Sequence, residues 1–141
     1  MTGKLKRRIW MTGPRILVDT WAWIEMMRGS GQGDHVRTII RNNPEIFVSV
    51  LTIYELRYRL EQLMGAERAL SIIHQIREQV NVIPVDNQIA MLGGAIKIGQ
   101  TKERTNMGAV DCMILATARV HDLKILSGDK HFAGLDEAMQ V

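Results

Sequence analysis

The sequence predicts an α/β fold of three layers, in which helices cover both faces of a central parallel sheet of four to five strands. Short runs of β-branched and other apolar residues alternate along the chain with longer amphipathic stretches. Strands separated by helices are joined by crossover connections and pair in parallel. The strand runs are mostly apolar, which favours a sheet that is covered on both faces.

The composition is that of an ordinary globular protein. Hydrophobic residues make up 46% of the chain and charged residues 23%, which argues against disordered, collagen-like and coiled-coil proteins. No apolar run approaches the roughly 18 residues that span a bilayer, so membrane insertion is not expected. The single cysteine, Cys112, cannot form an intramolecular disulfide, and no cysteine and histidine cluster has zinc-ligand spacing. A cytoplasmic location is therefore predicted.

The 141 residues are predicted to comprise a basic N-terminal arm, residues 1–14, and one domain, residues 15–141. The arm carries four basic residues, and its only apolar run has three residues, which is too short for a signal peptide. The arm is either solvated or in contact with nucleic acid. The net charge of +3 is compatible with an anionic partner but does not identify one.

The elements of the first half follow from the spacing of apolar residues and from the glycine or proline that ends each run. They are a strand over 15–19, a helix over 20–28, a glycine-rich turn over 29–33, a helix over 34–42, a strand over 46–51 and a helix over 52–64. The two-residue alternation of strands and the 3.6-residue period of helices distinguish the two types.

The second half continues the same alternation. Gly65 separates a helix over 66–79 from the preceding one, and Pro84 limits the strand over 80–85. Asp86 is predicted to cap the next helix. The remaining elements are a helix over 87–100, a polar loop over 101–106, a helix over 108–121, a strand over 123–126 and a terminal segment that can add an edge strand.

Four acidic residues fall where the predicted strands end or the adjoining helices begin: Asp19, Glu55, Asp111 and Asp129. Ligand sites in open parallel sheets lie beyond the carboxyl ends of the strands, so these side chains are expected to converge. Clustered carboxylates repel one another unless a cation neutralises them. Hard oxygen ligands suit Mg²⁺ or Mn²⁺.

Each acid also has a structural interpretation. Thr52 and Glu55 have the spacing of a helix capping box, and Glu55 could instead pair with Arg59 one turn later. Asp111 could interact with a helix dipole, Asp129 could be a turn residue, and Asp19 could cap the first helix. The coincidence of all four positions favours a common site.

Three segments carry a resemblance to a known family: VDTWAWIE, LTIYELRYRL and GAVDCMILATARVHDLKILSGDKHF. From Arg15 to about Leu135 the chain resembles the PIN-domain family, especially the VapC-type toxins of type II toxin-antitoxin systems. The resemblance implies a PIN-like fold and a ribonuclease that uses Mg²⁺ or Mn²⁺, with an antitoxin partner. It also implies that the four acids bind the metal, supported by the hydroxyl groups of Thr20 and Ser127.

Other residues near these motifs have two interpretations. Lys102, Arg104 and His131 are candidate RNA contacts, although the first two could simply be solvated. Trp21 is unusually bulky beside the first acid, as is Trp23, and either could pack in the core or stack on a base. Many relatives have threonine and a polar residue where this chain has serine at 127 and glycine at 128. Cys112 is predicted to be packed rather than reactive.

Two other function classes remain open. The chain could be a PIN-like RNA-binding or assembly module without catalysis, or an RNA-processing nuclease without an antitoxin. A phosphoacceptor fold also places acids at strand ends, but Trp21 stands where such a fold has its second aspartate, and no adjacent acid pair ends the first strand.

Self-association is predicted from an excess of apolar residues on two helices. Two helices carry these residues. On the helix over 87–100 they are Ile89, Ala90, Leu92, Gly93, Gly94 and Ile96, and on the helix over 20–28 they are Trp21, Ile24, Met26 and Met27. We expect an isologous homodimer, the commonest symmetric assembly and the usual state in the resembled family. The alternative is that both helices are buried against the sheet.

Overall fold

The computed structural model describes residues 14–103 and 106–139. The predicted basic arm, apart from Pro14, lies outside the described residues. The described strands are β1 (Ile16–Val18), β2 (Ile46–Ser49), β3 (Asn81–Ile83), β4 (Lys124–Leu126) and β5 (Ala138–Met139). They form one sheet in the order β3-β2-β1-β4-β5, and every pairing is parallel. The predicted parallel sheet, including its terminal edge strand, is confirmed.

The helices lie in two layers around this sheet. They are α1 (Thr20–Arg28), α2 (Gly31–Arg41), α3 (Val50–Met64), α4 (Ala66–Gln79), α5 (Asn87–Lys102) and α6 (Ala109–His121), with a 3-10 helix at Lys130–Phe132. In one core cluster, the helices α1, α2, α3 and α4 pack against one face of the sheet. A second cluster joins α5 and α6 with the other face. The three-layer α/β prediction is confirmed.

The start of α2 differs from the sequence prediction. The expected turn over 29–33 is wrong, because α2 already begins at Gly31. Ser30 caps it, accepting a hydrogen bond from the backbone N–H of Gly33 at 2.9 Å. Gly29 alone makes the turn, with a φ of 70°, in the left-handed region that glycine adopts without strain.

The start of α3 differs in the same direction. The predicted strand over 46–51 ends at Ser49, whose hydroxyl accepts from the N–H of Leu51 at 3.1 Å and caps the helix. The capping box of Thr52 and Glu55 is therefore wrong. Among the described residues, the buried hydroxyl of Thr52 has no hydrogen-bond partner.

Smaller differences concern the ends of other elements. The helix predicted to end at residue 100 continues as α5 to Lys102, so the connection to α6 begins two residues later than expected. Gly108 is the N-cap of α6 rather than its first residue. Asp86 caps α5 as predicted, accepting from the N–H of Ile89 at 2.9 Å. No helix of the described segments is long and apolar enough to cross a membrane.

Several of the large side chains on which the predicted dimer rested pack inside the fold. Ile89 is buried, and Leu92 and Ile96 pack against the core cluster of α5 and α6. In the other layer, Ile24 is buried and Trp21 packs against the core. The alternative of burial against the sheet is correct for these side chains.

The strand order determines where a site can form. The chain runs outward from β1 through β2 to β3 and then returns to place β4 on the other side of β1. The connections on the two sides of β1 therefore diverge and leave a crevice at the carboxyl ends of β1 and β4. Asp19 follows the first of these strands directly, and Asp129 follows the second after two residues.

Candidate active site

Asp19 is the buried member of the acid group. It lies between β1 and α1 and is only 4% exposed. Although Asp19 occupies the N-cap position of α1, its side chain makes no capping hydrogen bond. Its Oδ2 instead accepts a hydrogen bond from the hydroxyl of Ser127 at 2.8 Å. The interpretation of Asp19 as a helix cap therefore fails.

Glu55 reaches the same region from α3. The hydroxyl of Thr20 donates to its Oε1 at 2.9 Å, across 35 residues of sequence. This contact joins the first turn of α1 to the middle of the site and orients the Glu55 carboxylate. The hydroxyls of Thr20 and Ser127 thus each contact one of the predicted acids.

Asp111 and Asp129 meet on either side of His131. Nδ1 of His131 lies 2.9 Å from Oδ1 of Asp129 and 3.3 Å from Oδ2 of Asp111. Asp129 also caps the 3-10 helix by accepting from the backbone N–H of His131 at 2.9 Å. Its predicted turn role and its predicted place near the other acids are thus compatible.

The hydroxyl of Ser127 connects the two halves of the site. While donating to Asp19, it accepts from the backbone N–H of Asp129 at 3.0 Å. The Asp19 carboxylate and the loop that carries Asp129 are consequently tied to one atom. A serine hydroxyl can donate and accept at the same time, which suits it to this position.

The four acids influence one another electrostatically. Burial raises the pKa of Asp19 to about 6, against the hydrogen bond from Ser127, and the negative charges of Asp111 and Glu55 add to the rise. Burial likewise raises the pKa of Asp111, as do the charges of Asp129 and Glu55, while His131 lowers it. The cluster therefore holds unneutralised negative charge, an environment that favours a cation.

One group of these side chains could hold a metal ion. Asp111, Asp129 and His131 each offer a ligand atom, and these three atoms lie within 4.8 Å of one another. Nδ1 of His131 is buried, and within the described part of the chain it has no partner of hydrogen-bonding geometry. A buried nitrogen aimed between two carboxylates fits the needs of a divalent cation.

The remaining predicted residues are placed differently. Lys102 is exposed on the last turn of α5, and Arg104 lies outside the described residues. Cys112 is buried, as predicted. Trp23 belongs to the core, whereas Trp21 is partly buried against it, so core packing is confirmed for both.

The position of His131 is the feature that sequence reasoning missed. It was expected to contact RNA, whereas its nitrogen lies between Asp111 and Asp129. The two-residue spacing between Asp129 and His131 is a weak signal by itself. It places both side chains together only because the chain forms a 3-10 turn at that point.

Comparison with known proteins finds similar chains. The protein named tRNA(fMet)-specific endonuclease VapC from Salmonella typhimurium is 26% identical over 97 residues, which are 68% of this chain and 74% of that protein. The crystal structure of a DNA-bound VapBC complex from the same organism includes a chain with a TM-score of 0.76 and 22% identity, covering 92% of this chain and 98% of that one.

A second solved structure has the same fold. It is a Mycobacterium tuberculosis VapC toxin described as cleaving the sarcin-ricin loop, with a TM-score of 0.71 and 19% identity over 86% of this chain and 95% of that one. The predicted resemblance to VapC-type toxins is confirmed. The sequence profile of the PIN domain matches residues 16–138, which is most of the chain, and this chain therefore belongs to the PIN-domain family.

Proposed function

We propose that this protein is a metal-dependent endoribonuclease and the toxin of a type II toxin-antitoxin system. The observation that carries the proposal is the convergence of Asp19, Glu55, Asp111 and Asp129 at the carboxyl ends of β1 and β4 in a PIN-domain chain. The relatives with this fold include proteins named as a tRNA endonuclease and as a sarcin-ricin loop cleaving toxin.

Asp111, Asp129 and His131 would hold the cation, with Asp19 and Glu55 adding negative charge beside it. Mg²⁺ and Mn²⁺ suit a site dominated by carboxylates, and the nitrogen of His131 is better tolerated by Mn²⁺ than by Mg²⁺. A bound ion supplies an activated water molecule and stabilises the charge that develops on the attacked phosphate. No protein nucleophile is needed, which agrees with the burial of Cys112.

The chain's own residues orient this chemistry. Ser127 keeps the Asp19 carboxylate in place by donating to Oδ2, and Thr20 does the same for Oε1 of Glu55. Positive charge at the site favours the ionised form of Asp19, whose pKa is otherwise raised. Binding of the cation and ionisation of this buried carboxyl are therefore coupled.

RNA would approach from the open side of the cluster, where Asp111 and Asp129 are 22% and 30% exposed. Lys102 is exposed at the end of α5, and together with Arg104 it would contact backbone phosphates. Such contacts position the substrate without selecting its sequence. The target of cleavage is then decided by the shape and sequence of an RNA loop.

A small antitoxin would oppose the same site. Solved relatives of this fold include toxin-antitoxin complexes from Klebsiella pneumoniae and Salmonella typhimurium. A basic side chain of the antitoxin placed among the four carboxylates would neutralise them and occupy the position of the cation. We also propose a cytoplasmic location, where a toxin could meet an RNA substrate.

The functional unit would be a homodimer formed through the outer face of α5. Met91 is 78% exposed and Ile98 is 55% exposed. Gly94 and Ala95 between them are also exposed, as is Ala90 just before Met91. An uncharged apolar stripe with small residues lets two helices approach closely and suits an isologous contact. Ala90 and Gly94 are among the residues from which self-association was predicted, whereas Ile89, Leu92 and Ile96 pack toward the core.

Cleavage of a labelled structured RNA, with and without Mg²⁺ or Mn²⁺, tests the proposed activity. We expect fragments only with the cation, loss of cleavage with a chelator, and loss with Asp111→Asn. Glu103→Gln is a matched control because that acid is exposed at the end of α5, and it should cleave normally.

The same assay distinguishes the alternatives. RNA binding without cleavage under any metal condition would favour a non-catalytic module. Hydrolysis of a small phosphate monoester without RNA cleavage would favour a phosphoacceptor fold. If the enzyme cleaves RNA and no protein encoded by a neighbouring gene inhibits it, an RNA-processing nuclease would be favoured.

A further inference from the structure

The loop that carries Asp129 makes an unusually close contact with α1. A Cβ placed on Gly128 would lie 2.5 Å from both Cη2 and Cζ2 of Trp21 and 2.9 Å from its Cζ3. Non-bonded carbon atoms normally approach to about 3.5–4.0 Å. The six-membered ring of Trp21 therefore occupies the space that any side chain at position 128 would need.

The backbone of Gly128 does not itself require glycine. Among the described residues, the glycines with positive φ are Gly29, Gly65 and Gly134, so Gly128 has a conformation open to other residues. The need for glycine at 128 comes from the approach of the Trp21 ring. The large residue at 21 and the glycine at 128 are thus in contact and complement each other in size.

Trp21 is held from the other side. Its ring packs against the core cluster that contains Leu126, the last residue of β4. Trp21 also follows Thr20, whose hydroxyl orients Glu55. Because the ring rests on the core, it gives Gly128 a firm surface rather than a mobile side chain.

Gly128 stands between the two residues that connect the halves of the site. Ser127 donates to Asp19 and accepts from the N–H of Asp129. A shift of the backbone at 128 would change both hydrogen bonds and move the Asp129 carboxylate away from His131, which now lies 2.9 Å from it. The contact with Trp21 opposes such a shift.

We propose that Trp21 is a positioning residue, which packs on Gly128 and thereby holds the loop of residues 127–129 so that Asp129 stays in the metal-binding group. This inference rests on the proposed metal site. Trp21 acts through the loop and does not itself touch the cation. Trp21 and Gly128 act together. Position 128 must be glycine because the Trp21 ring fills the adjacent space, and the same ring holds the loop in place.

A double-mutant cycle on Mn²⁺ binding tests this unit. The Mn²⁺ dissociation constant of the full chain is measured by electron paramagnetic resonance for Gly128→Ala, Trp21→Ala and the double variant. We expect Gly128→Ala to weaken Mn²⁺ binding about tenfold or more, because its methyl group displaces the loop. We expect Trp21→Ala to weaken it several-fold, because the loop loses its support.

The double variant carries the decisive result. Its alanine methyl at 128 has the space that the indole ring leaves, so we expect its Mn²⁺ affinity to exceed that of Gly128→Ala alone. If the two losses are additive, the double variant binds Mn²⁺ more weakly than the unaltered protein by the product of the two single factors. That result would overturn the inference. Trp21→Phe, which keeps an aromatic ring in the core, replaces Trp21→Ala in the cycle if the latter does not fold.

Two further measurements separate positioning from general loss of structure. Tyr54→Ala removes an exposed aromatic ring of α3 that contacts Tyr58, and it should leave the Mn²⁺ affinity unchanged. In RNA cleavage, the Trp21 variants should lower kcat more than they raise KM. Wild-type Mn²⁺ affinity in Trp21→Ala would overturn the inference alone, whereas absence of Mn²⁺ binding by the unaltered protein would overturn the proposed metal site as well.

Discussion

At the scale of single residues, two hydroxyl groups orient two of the acids, Glu55 and Asp19. Thr20 and Ser127 each donate to one carboxylate oxygen, and each is itself buried. A buried hydroxyl that donates to a carboxylate favours its ionised form, whereas burial disfavours it. At Asp19 burial is the larger effect, since the pKa is raised to about 6.

Glu55→Gln should leave a folded protein with little activity. The amide oxygen of glutamine can still accept from Thr20, so the melting temperature should stay near that of the unaltered protein. The missing charge weakens the acid cluster, and we expect cleavage to fall by about 10–100-fold. Initial rates on RNA measure this. Glu61→Gln, on the same helix and exposed beside Arg57, is the control, and full activity of Glu55→Gln would remove Glu55 from the site.

The metal-free protein should become more stable as the pH falls from about 7 to 5. Asp19 has a folded pKa raised from 3.8 to about 6, so the folded state binds a proton in this range more readily than the unfolded chain does. The cost of burying the charge is then fully present above the folded pKa and is relieved below it. Asp19→Asn should remove the cost at pH 7, on the order of 2–3 kcal/mol.

Denaturant unfolding of the chelator-treated protein at several pH values checks this prediction. The stability of Asp19→Asn should change less between pH 5 and 7 than that of the unaltered protein. Asp136→Asn, an exposed acid distant from the cluster, should retain the full pH dependence. Equal pH dependence in both variants would show that another group is responsible.

At the scale of elements, the start of α3 shows how a helix cap is chosen. Ser49 and Thr52 both stand near the helix start, but only the hydroxyl oxygen of Ser49 accepts a hydrogen bond from a backbone N–H, that of Leu51. β2 ends at Ser49 because it pairs with β3 only as far as Ile83. The helix therefore begins at Val50, three residues before the first helical position that the capping box would give.

Substitutions at the two positions should have different effects. Ser49→Ala should lower the free energy of unfolding by about 1 kcal/mol, because it removes the cap. Thr52→Val should change it little or raise it, because the buried hydroxyl of Thr52 has no hydrogen-bond partner within the described residues. Urea unfolding compares the two variants directly. A larger loss for Thr52→Val than for Ser49→Ala would restore the capping box.

At the scale of the whole molecule, a bound cation should stabilise the fold. The acids come from the ends of β1 and β4 and from α3 and α6, so neutralising their repulsion strengthens contacts between distant parts of the chain. We expect Mn²⁺ at a hundredfold excess over its dissociation constant to add about 2.7 kcal/mol. This corresponds to a rise in melting temperature of roughly 10 °C.

A titration of Mn²⁺ and Mg²⁺ followed by calorimetry measures the effect. The double variant Asp19→Asn with Asp111→Asn is the control and should not respond. A constant melting temperature of the unaltered protein up to tens of millimolar would count against the site. The same rise in the double variant would place the ion elsewhere.

Self-association should depend on the outer face of α5. Light scattering at micromolar concentration should give twice the chain mass of 16.0 kDa. The double variant Met91→Glu with Ile98→Glu should be a monomer, because dimer formation would bury two charges without partners. Leu70→Glu alters an equally exposed apolar residue on α4, at 52% exposure, and should remain dimeric. A monomer in the unaltered protein would contradict the dimer.

Much of the fold follows from local patterns. The alternation of apolar runs with amphipathic stretches predicted the parallel sheet, its two helical layers and the edge strand at Ala138–Met139. Asp86 was recognisable as a cap because its partner Ile89 is three residues away. Features whose partners are close in sequence are the ones that local patterns determine.

The sequence by itself determined the family and the fold class, because strand ends and motif spacing can be read along the chain. It also predicted the four acids of the proposed site. Only the tertiary structure decided that Thr20 holds Glu55 across 35 residues, that His131 lies between two carboxylates and that Trp21 meets Gly128. These contacts depend on the order in which β1 and β4 pair and on how closely α1 packs against them. Distances between segments far apart in sequence arise from packing, which residue spacing does not specify.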